Sequence, residues 1–460
     1  MVAKDLAKFM GPDESNRFGV GVAKRLGADE TILITVIANE RMARFANSSI
    51  TVTKNVNESG QVVYLAKGGR RIIGSSSNPE KASLERFIEL LYKSMMSLPK
   101  DAGYVALPSR GRSYRPGRRH DRKLERAEGL LSGYVKEAID SAENAGARRT
   151  AGSLEARVTS HHIMSSTGTL GSDASSRVLL NIRAFTDKDA SGHGLSCCAT
   201  TRGFQPGAAG TTAGSHSKRM RNARQLPEEG SFQVLMSPTV AANLLGLVGE
   251  FSSAFAVEVG TSYLVGKMDK KVASEGLHLT DHGKKEGCLE ARAFDDEGQP
   301  TQSTKLIAGG VLMSYLHNLS TAKRFKTKTT GNAGLIEPGP WNLEVGGGDS
   351  GYEEMVKEMK RGLILTSNWY TRFKNYRTGE FSTVPRDGTY LVESGEVRAP
   401  IKGIRISDSL ERMFSSIRLL SEDREWVEWW EVETPVLCPW VLVDGVTVTK
   451  AYGDGPSPSG

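Results

Sequence analysis

The eight histidines and four cysteines are the residues of this chain best suited to hold a metal or to support a nucleophile. Their spacing serves neither task well. His278 and His282 stand four apart with Asp281 between them, a separation that puts two imidazoles on one face of a helix. Residues 276–283 alternate like a strand, however, and on a strand the two rings lie about 13 Å apart. A strand running into a turn is expected there, without a metal. His161 and His162 are consecutive, so on a strand they face opposite sides and share no ion. His193 sits in Ser191-Gly192-His193-Gly194, which reads as a turn, and His120, His216 and His317 are isolated. Cys197, Cys198, Cys288 and Cys438 make no C-x-x-C and read as buried, reduced thiols.

Other chemistries leave equally faint traces. No G-x-S-x-G is present. Asp295-Asp296-Glu297 could attract a cation, but a lone acidic turn is expected to be solvated. Gly346-Gly347-Gly348 could offer amides to an anion. Without a preceding strand and a lysine it reads as a flexible loop. Trp426, Trp429 and Trp430 suggest packing or a partner contact, the first and last sharing a face if the stretch is helical. Between Arg110 and Arg126 basic residues far outnumber acids around Tyr114. A phosphate-binding strip is one reading, and a solvated loop leading into a helix is the plainer one. A net charge of +7 permits nucleic acid without requiring it; nucleic acid is not an expected partner.

Elements must position whatever site exists. At 460 residues there is room for two or three domains, and the pattern predicts an α+β fold. An N-terminal α/β domain with a mixed sheet and helices is expected over 17–100, a β-rich middle domain with a basic linker over 101–229, and a larger β-rich C-terminal domain over 230–450. Strands are predicted at 31–37, 50–53, 62–65 and 71–74. A helix follows with Asn78 as cap and Pro79 at its first position, burying Leu84, Phe87, Ile88, Leu91 and Met95. Residues 101–120 read as a connector, and a helix is expected from Leu124 to about Gly146. Strands at 155–161 and 177–186 flank a turn at 165–171. The Gly/Ala/Thr-rich residues 203–215 read as a flexible loop. A strand at Val234-Leu235-Met236 leads to Ser237 as cap, Pro238, and a helix carrying Val240, Leu244, Leu245, Val248 and Phe251. No apolar run approaches the roughly 18 residues of a membrane span, and no signal-peptide core opens the chain. A cytoplasmic location and no membrane partner are expected.

From residue 234 onward the chain resembles the TldD/PmbA peptidase family, whose members were once called modulators of DNA gyrase. The resemblance is carried by Gly266-Lys267, Val272-Ala273-Ser274, Phe294-Asp295-Asp296-Glu297-Gly298, Pro300-Thr301, Gly310-Val311-Leu312, Ser314-Tyr315-Leu316 and Thr330-Gly331-Asn332-Ala333. Asn375, Thr378, Gly379, Phe381 and Ser382 continue it, and it is looser before 230, where Phe45-Ala46-Asn47-Ser48 is a short match. In the TldD branch the helix after the Ser-Pro step carries His-Glu-x-x-x-His, whose imidazoles hold zinc. Here the corresponding helix has no histidine from Ser237 to Gly260, and Glu250 stands without a ligand beside it. The resemblance therefore implies the TldE/PmbA-like branch lacking the zinc motif. Such a subunit has no metal and no catalytic residue of its own, with zinc supplied by a TldD-type partner. It implies a heterodimer with that protein, or a homodimer, acting on small unfolded peptides. Asn375, Thr378, Gly379, Phe381, Ser382, Thr330, Gly331 and Asn332 are the implied substrate-channel or interface residues. A homodimeric peptidase with an atypical metal site and a nucleic-acid-interacting protein are the alternatives.

Overall fold

The computed structural model describes residues 10–77, 80–115, 117, 120–125 and 129–451. It is an α+β protein built on two sheets, as the sequence pattern predicts. The first half runs α1 (Pro12–Leu26), β1 (Glu30–Ala46), β2 (Ser49–Lys67), β3 (Arg70–Ser76), α2 (Lys81–Met96), β4 (Ser113–Tyr114), α3 (Arg122–Glu125), α4 (Leu130–Asn144), β5 (Arg149–Ser165), β6 (Leu170–Phe185), β7 (Ser191–Cys198), α5 (Pro206–Arg219) and β8 (Arg224–Gln225). Its seven-stranded sheet has the order β3-β2-β1-β5-β6-β4, with β7 also paired to β6. Only β4 joins in parallel. The boundary expected at residue 100 thus falls between strands of one continuous sheet.

Strand alternation decides which side chains meet what. In β1, Leu33, Ala43 and Phe45 pack under the helices, whereas Ile32 and Ile34 pack with Phe294 of the second half. In β6, Val178, Leu180, Ile182 and Ala184 join the helix-side core. Arg177 and Arg183, on the opposite face, form ion pairs with acids of the second half.

Several local expectations are corrected. The strands expected at 50–53 and 62–65 are one strand, β2, paired to β1 throughout; the polar stretch between them has no apolar face to reveal it. Asn78 and Pro79, the expected helix cap, lie outside the described residues. The described helix begins after Glu80 and buries Leu84, Ile88, Leu91 and Met95. Residues 203–215 are not a flexible loop, since most of them form α5. Small residues are required there because α5 is wedged between α4 and β7. A Cβ on Gly210 would overlap the Ala138 carbonyl, and one on Gly214 the Ala142 carbonyl. From the other side, Gly192 and Gly194 of β7 lie against the carbonyls of Ala213 and Ala209. Residues 191–194 are accordingly strand, not turn.

The second half contains β9 (Gly230–Met236), α6 (Pro238–Phe251), α7 (Ala254–Glu258), β10 (Leu279–His282), β11 (Ser303–Ala308), β12 (Val311–Leu312), α8 (Leu319–Arg324), β13 (Leu343–Val345), α9 (Tyr352–Lys357), β14 (Arg361–Asn375), β15 (Glu380–Glu393), β16 (Glu396–Lys402), β17 (Ile404–Ser409), α10 (Leu410–Ser415), β18 (Ile417–Trp429) and β19 (Val432–Lys450). Its sheet, twelve-stranded with β8 included, has the order β12-β11-β10-β13-β19-β9-β14-β15-β16-β8, with β17 and β18 completing it. As expected, Ser237 caps α6, its Oγ accepting from Val240 N. Nearly every residue of α6 is buried, so the helix forms the centre of the main core. Trp426 and Trp429 are on a strand rather than a helix. Gly348 is fixed rather than flexible: its N–H donates to the Ser421 carbonyl at 2.9 Å, and it approaches the Leu420 carbonyl too closely for any Cβ. No described helix is long and apolar enough to cross a membrane.

Candidate functional site

At the position where the resemblance led us to look for metal ligands, α6 presents Asn243. Its side chain is 3% exposed and belongs to a neutral polar network. Asn243 Oδ1 accepts from Asn368 Nδ2 at 2.8 Å and from Thr371 Oγ1 at 2.6 Å, while its Nδ2 donates to the Glu431 carbonyl. Asn368 Nδ2 also reaches Thr383 Oγ1 at 3.0 Å. The Glu431 carboxylate accepts the Tyr370 and Thr371 amides. Amides and hydroxyls bound to one another in this way do not fit a zinc ion, which takes imidazole, thiolate or carboxylate. Among the described residues no group of three or more His, Cys, Asp or Glu is placed to hold a metal.

Beside this network lies an aromatic cluster at the seam between the halves. Trp369 meets Trp429 and Trp430 edge-on, at centroid distances of 5.5 and 5.1 Å. The His193 ring, from β7, lies 4.7 Å from that of Trp429. His193 bonds Ser367 Oγ at 3.1 Å and Asn181 Oδ1 at 3.0 Å. Burial pushes its pKa down to about 4, with Asp387 opposing and Arg183 reinforcing, so the ring is neutral and structural. Arg183 lies over Trp369 and pairs with buried Asp387 at 2.7 Å. Trp430 and Tyr370 form the exposed rim, at 49% and 46%. Asn368 Oδ1, Trp369 Nε1 and Trp429 Nε1 are buried without a hydrogen-bond partner among the described residues. The cluster therefore carries one unused acceptor and two unused donors next to an aromatic rim.

The acidic turn departs from expectation. Asp295 is fully buried, not solvated, and accepts from the amides of Gln299 (2.8 Å), Glu297 (3.1 Å) and Ala333 (3.1 Å). Burial outweighs those bonds and lifts its pKa to about 7. Burial and neighbouring Asp295 lift half-buried Glu297 to about 8; its Oε2 caps α8 through the Leu319 amide. Asp296 pairs with Arg292 at 2.6 Å. The same turn docks on the first half, Tyr114 Oη donating to the Gly298 carbonyl at 2.8 Å.

The implied site residues fall into two groups that no described contact joins. Thr330, Gly331 and Asn332 are buried beside the acids. Asn332 Nδ2 donates to Asp281 Oδ2 at 2.6 Å, and the Thr330 hydroxyl accepts the His317 amide. Gly331 has φ +69° and takes Trp341 Nε1 on its carbonyl. Asn375, Thr378 and Gly379 lie at the β14–β15 hairpin tip, where Gly379 (φ +65°) packs on the Tyr263 ring and Tyr376 is 55% exposed. Phe381 is buried in the core beneath the tip, and Ser382 accepts from Arg405.

The remaining candidates are accounted for by local partners. His282 is in β10, as expected, with its ring on Ser303 and Glu344. His278 accepts the Gly309 amide. His162 pairs with Asp13, His120 with Glu125, and His216 with Tyr390 Oη. All four cysteines are free; burial raises their pKa values, that of Cys288 to about 12. Of the basic strip, Tyr114 pairs along β6 in β4, and Arg118, Arg119 and Arg126 lie outside the described residues. Exposed Glu250 ends α6. Sequence reading missed the Asn243–Asn368–Thr371–Thr383 network, for which no short-range spacing gives a signal.

Residues 229–450 match the model of the PmbA/TldA metallopeptidase C-terminal domain. Similar curated proteins include a metalloprotease of Methanocaldococcus jannaschii, 29% identical over 223 residues, covering 46% of this chain and 48% of that protein. Metalloprotease PmbA of Escherichia coli is 28% identical over 193 residues, covering 42% and 41%. The chain spans about half the length of the curated relatives it matches. Two solved structures share the fold over nearly the whole chain. One is a proposed modulator of a DNA gyrase from Thermotoga maritima, with TM-score 0.83, 24% identity, and coverage of 95% of this chain and 99% of that one. The other is TldE from Thermococcus kodakarensis, with TM-score 0.83, 17% identity, and coverage of 94% and 99%.

Proposed function

Because the chain belongs to the PmbA/TldD family through its C-terminal domain, we propose that it is a TldE-like subunit without its own metal site, paired with a TldD-type zinc peptidase acting on small unfolded peptides. The observation that carries this reading is the content of α6, where a buried asparagine tied to Asn368 and Thr371 takes the place of metal-binding imidazoles. On this reading zinc and the activated water belong to the partner, and this chain shapes the chamber. The unused acceptor of Asn368 and the indole donors of Trp369 and Trp429 suit main-chain amides, which an unfolded peptide offers whatever its side chains. The exposed hairpin tip around Asn375, Thr378 and Gly379 is the proposed interface or channel edge, while Phe381, Ser382, Thr330, Gly331 and Asn332 hold it and its neighbours in place. The protein is proposed to work in the cytoplasm.

The test is co-expression with a TldD-type protein from the same source and an assay on an unstructured peptide. Hydrolysis by the pair, and none by either chain alone, is expected. Hydrolysis by this chain alone, together with a stoichiometric metal lost in the His278→Ala, His282→Ala variant, overturns the reading.

A further inference from the structure

The first sheet leaves one long strand edge uncovered. β3 pairs with β2 only over Gln61–Lys67. Residues 49–60 of β2 pair with β1 on one side and, among the described residues, with no strand on the other. A row of unpaired amides and carbonyls of this length invites a further strand. Most of these residues are exposed, Ile50 at 39% and Val52 at 51%.

We propose that this edge pairs with the same edge of a second copy, antiparallel about a two-fold axis through Val56. The register follows from charge. The segment carries one cation, Lys54, and one anion, Glu58, with Val56 midway. Centring the axis on Val56 sets Lys54 of each copy across from Glu58 of the other, and Val56 across from Val56. Asn55 then faces Asn57, and Thr53 faces Ser59. Directly opposed residues of an antiparallel pair lie on the same face of the sheet, so both Lys–Glu pairs form. Slipping the register leaves both charges opposite neutral residues or, at other centres, opposite their own kind. The far limit is set by the fold: Val52 meets Gly60, and β3 begins at the next residue, where Gln61 is already paired with Ser76. The matched window is thus residues 52–60 of both copies. A closed, isologous contact of this kind removes the edge without leaving another free to propagate. This inference stands apart from the proposed peptidase role, since it uses the first sheet and leaves the second half uncovered.

The test uses the full chain in solution, followed by light scattering across a concentration series. Wild type is expected to dimerise. Lys54→Glu and Glu58→Lys each place like charges opposite one another twice and are expected to raise the dimer dissociation constant about tenfold or more. The double swap K54E/E58K is expected to restore it. Under mild oxidation Val56→Cys is expected to give a disulfide-linked dimer, because opposed residues sit within disulfide reach. Ser59→Cys, whose counterpart lies six residues away along the partner strand, is expected not to. A wild-type monomer, as would follow if another segment of the chain covers this edge, overturns the proposal. So does a dimer indifferent to both single charge variants, or cross-linking of the Ser59→Cys variant in preference to the Val56→Cys variant.

Discussion

Gly331 and Asp295 show how single residues set the second half. Gly331 combines φ +69° with a backbone approach to the Pro300 carbonyl that leaves no room for a methyl group. Gly331→Ala is expected to cost about 2–4 kcal/mol, read as a lower midpoint in denaturant. Asp295 is a carboxyl raised by burial to about 7, against an ordinary value near 4 in the unfolded chain. The folded state therefore holds the proton more tightly. Its contribution is present in full below the unfolded value and is lost as pH rises through about 7. Asp281, raised to about 6, and Glu297, raised to about 8, act in the same direction. Stability is expected to fall between pH 5 and pH 8, and Asp295→Asn is expected to flatten part of that slope in thermal melts; an unchanged slope would contradict the assignment. Sequence alone pointed to a solvated turn here. The amide that closes over Asp295 comes from Ala333, far along the chain, and a carboxylate's surroundings are not legible from its immediate neighbours.

At the scale of elements, α6 and α5 mark the two ends of what the sequence discloses. Ser237, Pro238 and a dense apolar run announce α6 unambiguously, and the structure places that helix at the centre of the core. α5 is rich in Gly, Ala and Thr, a composition shared by mobile loops and by helices that other backbone approaches closely. The glycines sort by what they face. Gly210 meets the backbone of Ala138, whereas Gly207 meets only the movable end of Glu137. Gly210→Ala is expected to destabilise by about 2 kcal/mol or more through the backbone clash. Gly207→Ala is expected to be neutral or stabilising by up to about 1 kcal/mol through helix propensity. Equal effects in denaturant titrations would argue against this account of the packing. The length of β2 was hidden for a related reason: its outer portion has no core face, so period-two hydrophobicity fades although the pairing continues.

The whole molecule is held together by a polar seam as much as by apolar contact. Arg177 pairs with Glu290 and with buried Glu428, and Arg183 pairs with Asp387, whose side chain is fully buried. Removing one member of such a pair strands the other in a poorly solvated site, at a cost of about 3–5 kcal/mol. Arg183→Ala is expected to lower thermal stability sharply, with Arg183→Ala, Asp387→Ala recovering part of the loss; a double variant as unstable as the sum of the two singles would show that the pair is not coupled. The α+β class and the character of the second half were legible in the residues, but this seam was not, because each partner lies more than a hundred residues from its mate. One consequence is optical. Trp369 and Trp429 belong to one half, and the imidazole stacked beside Trp429 comes from the other. Parting the halves would strip a neighbouring ring from an indole pair already set edge to edge, so emission intensity and near-ultraviolet dichroism should register undocking before either half unravels. The protein thus carries a built-in gauge of its own closure, readable without a label.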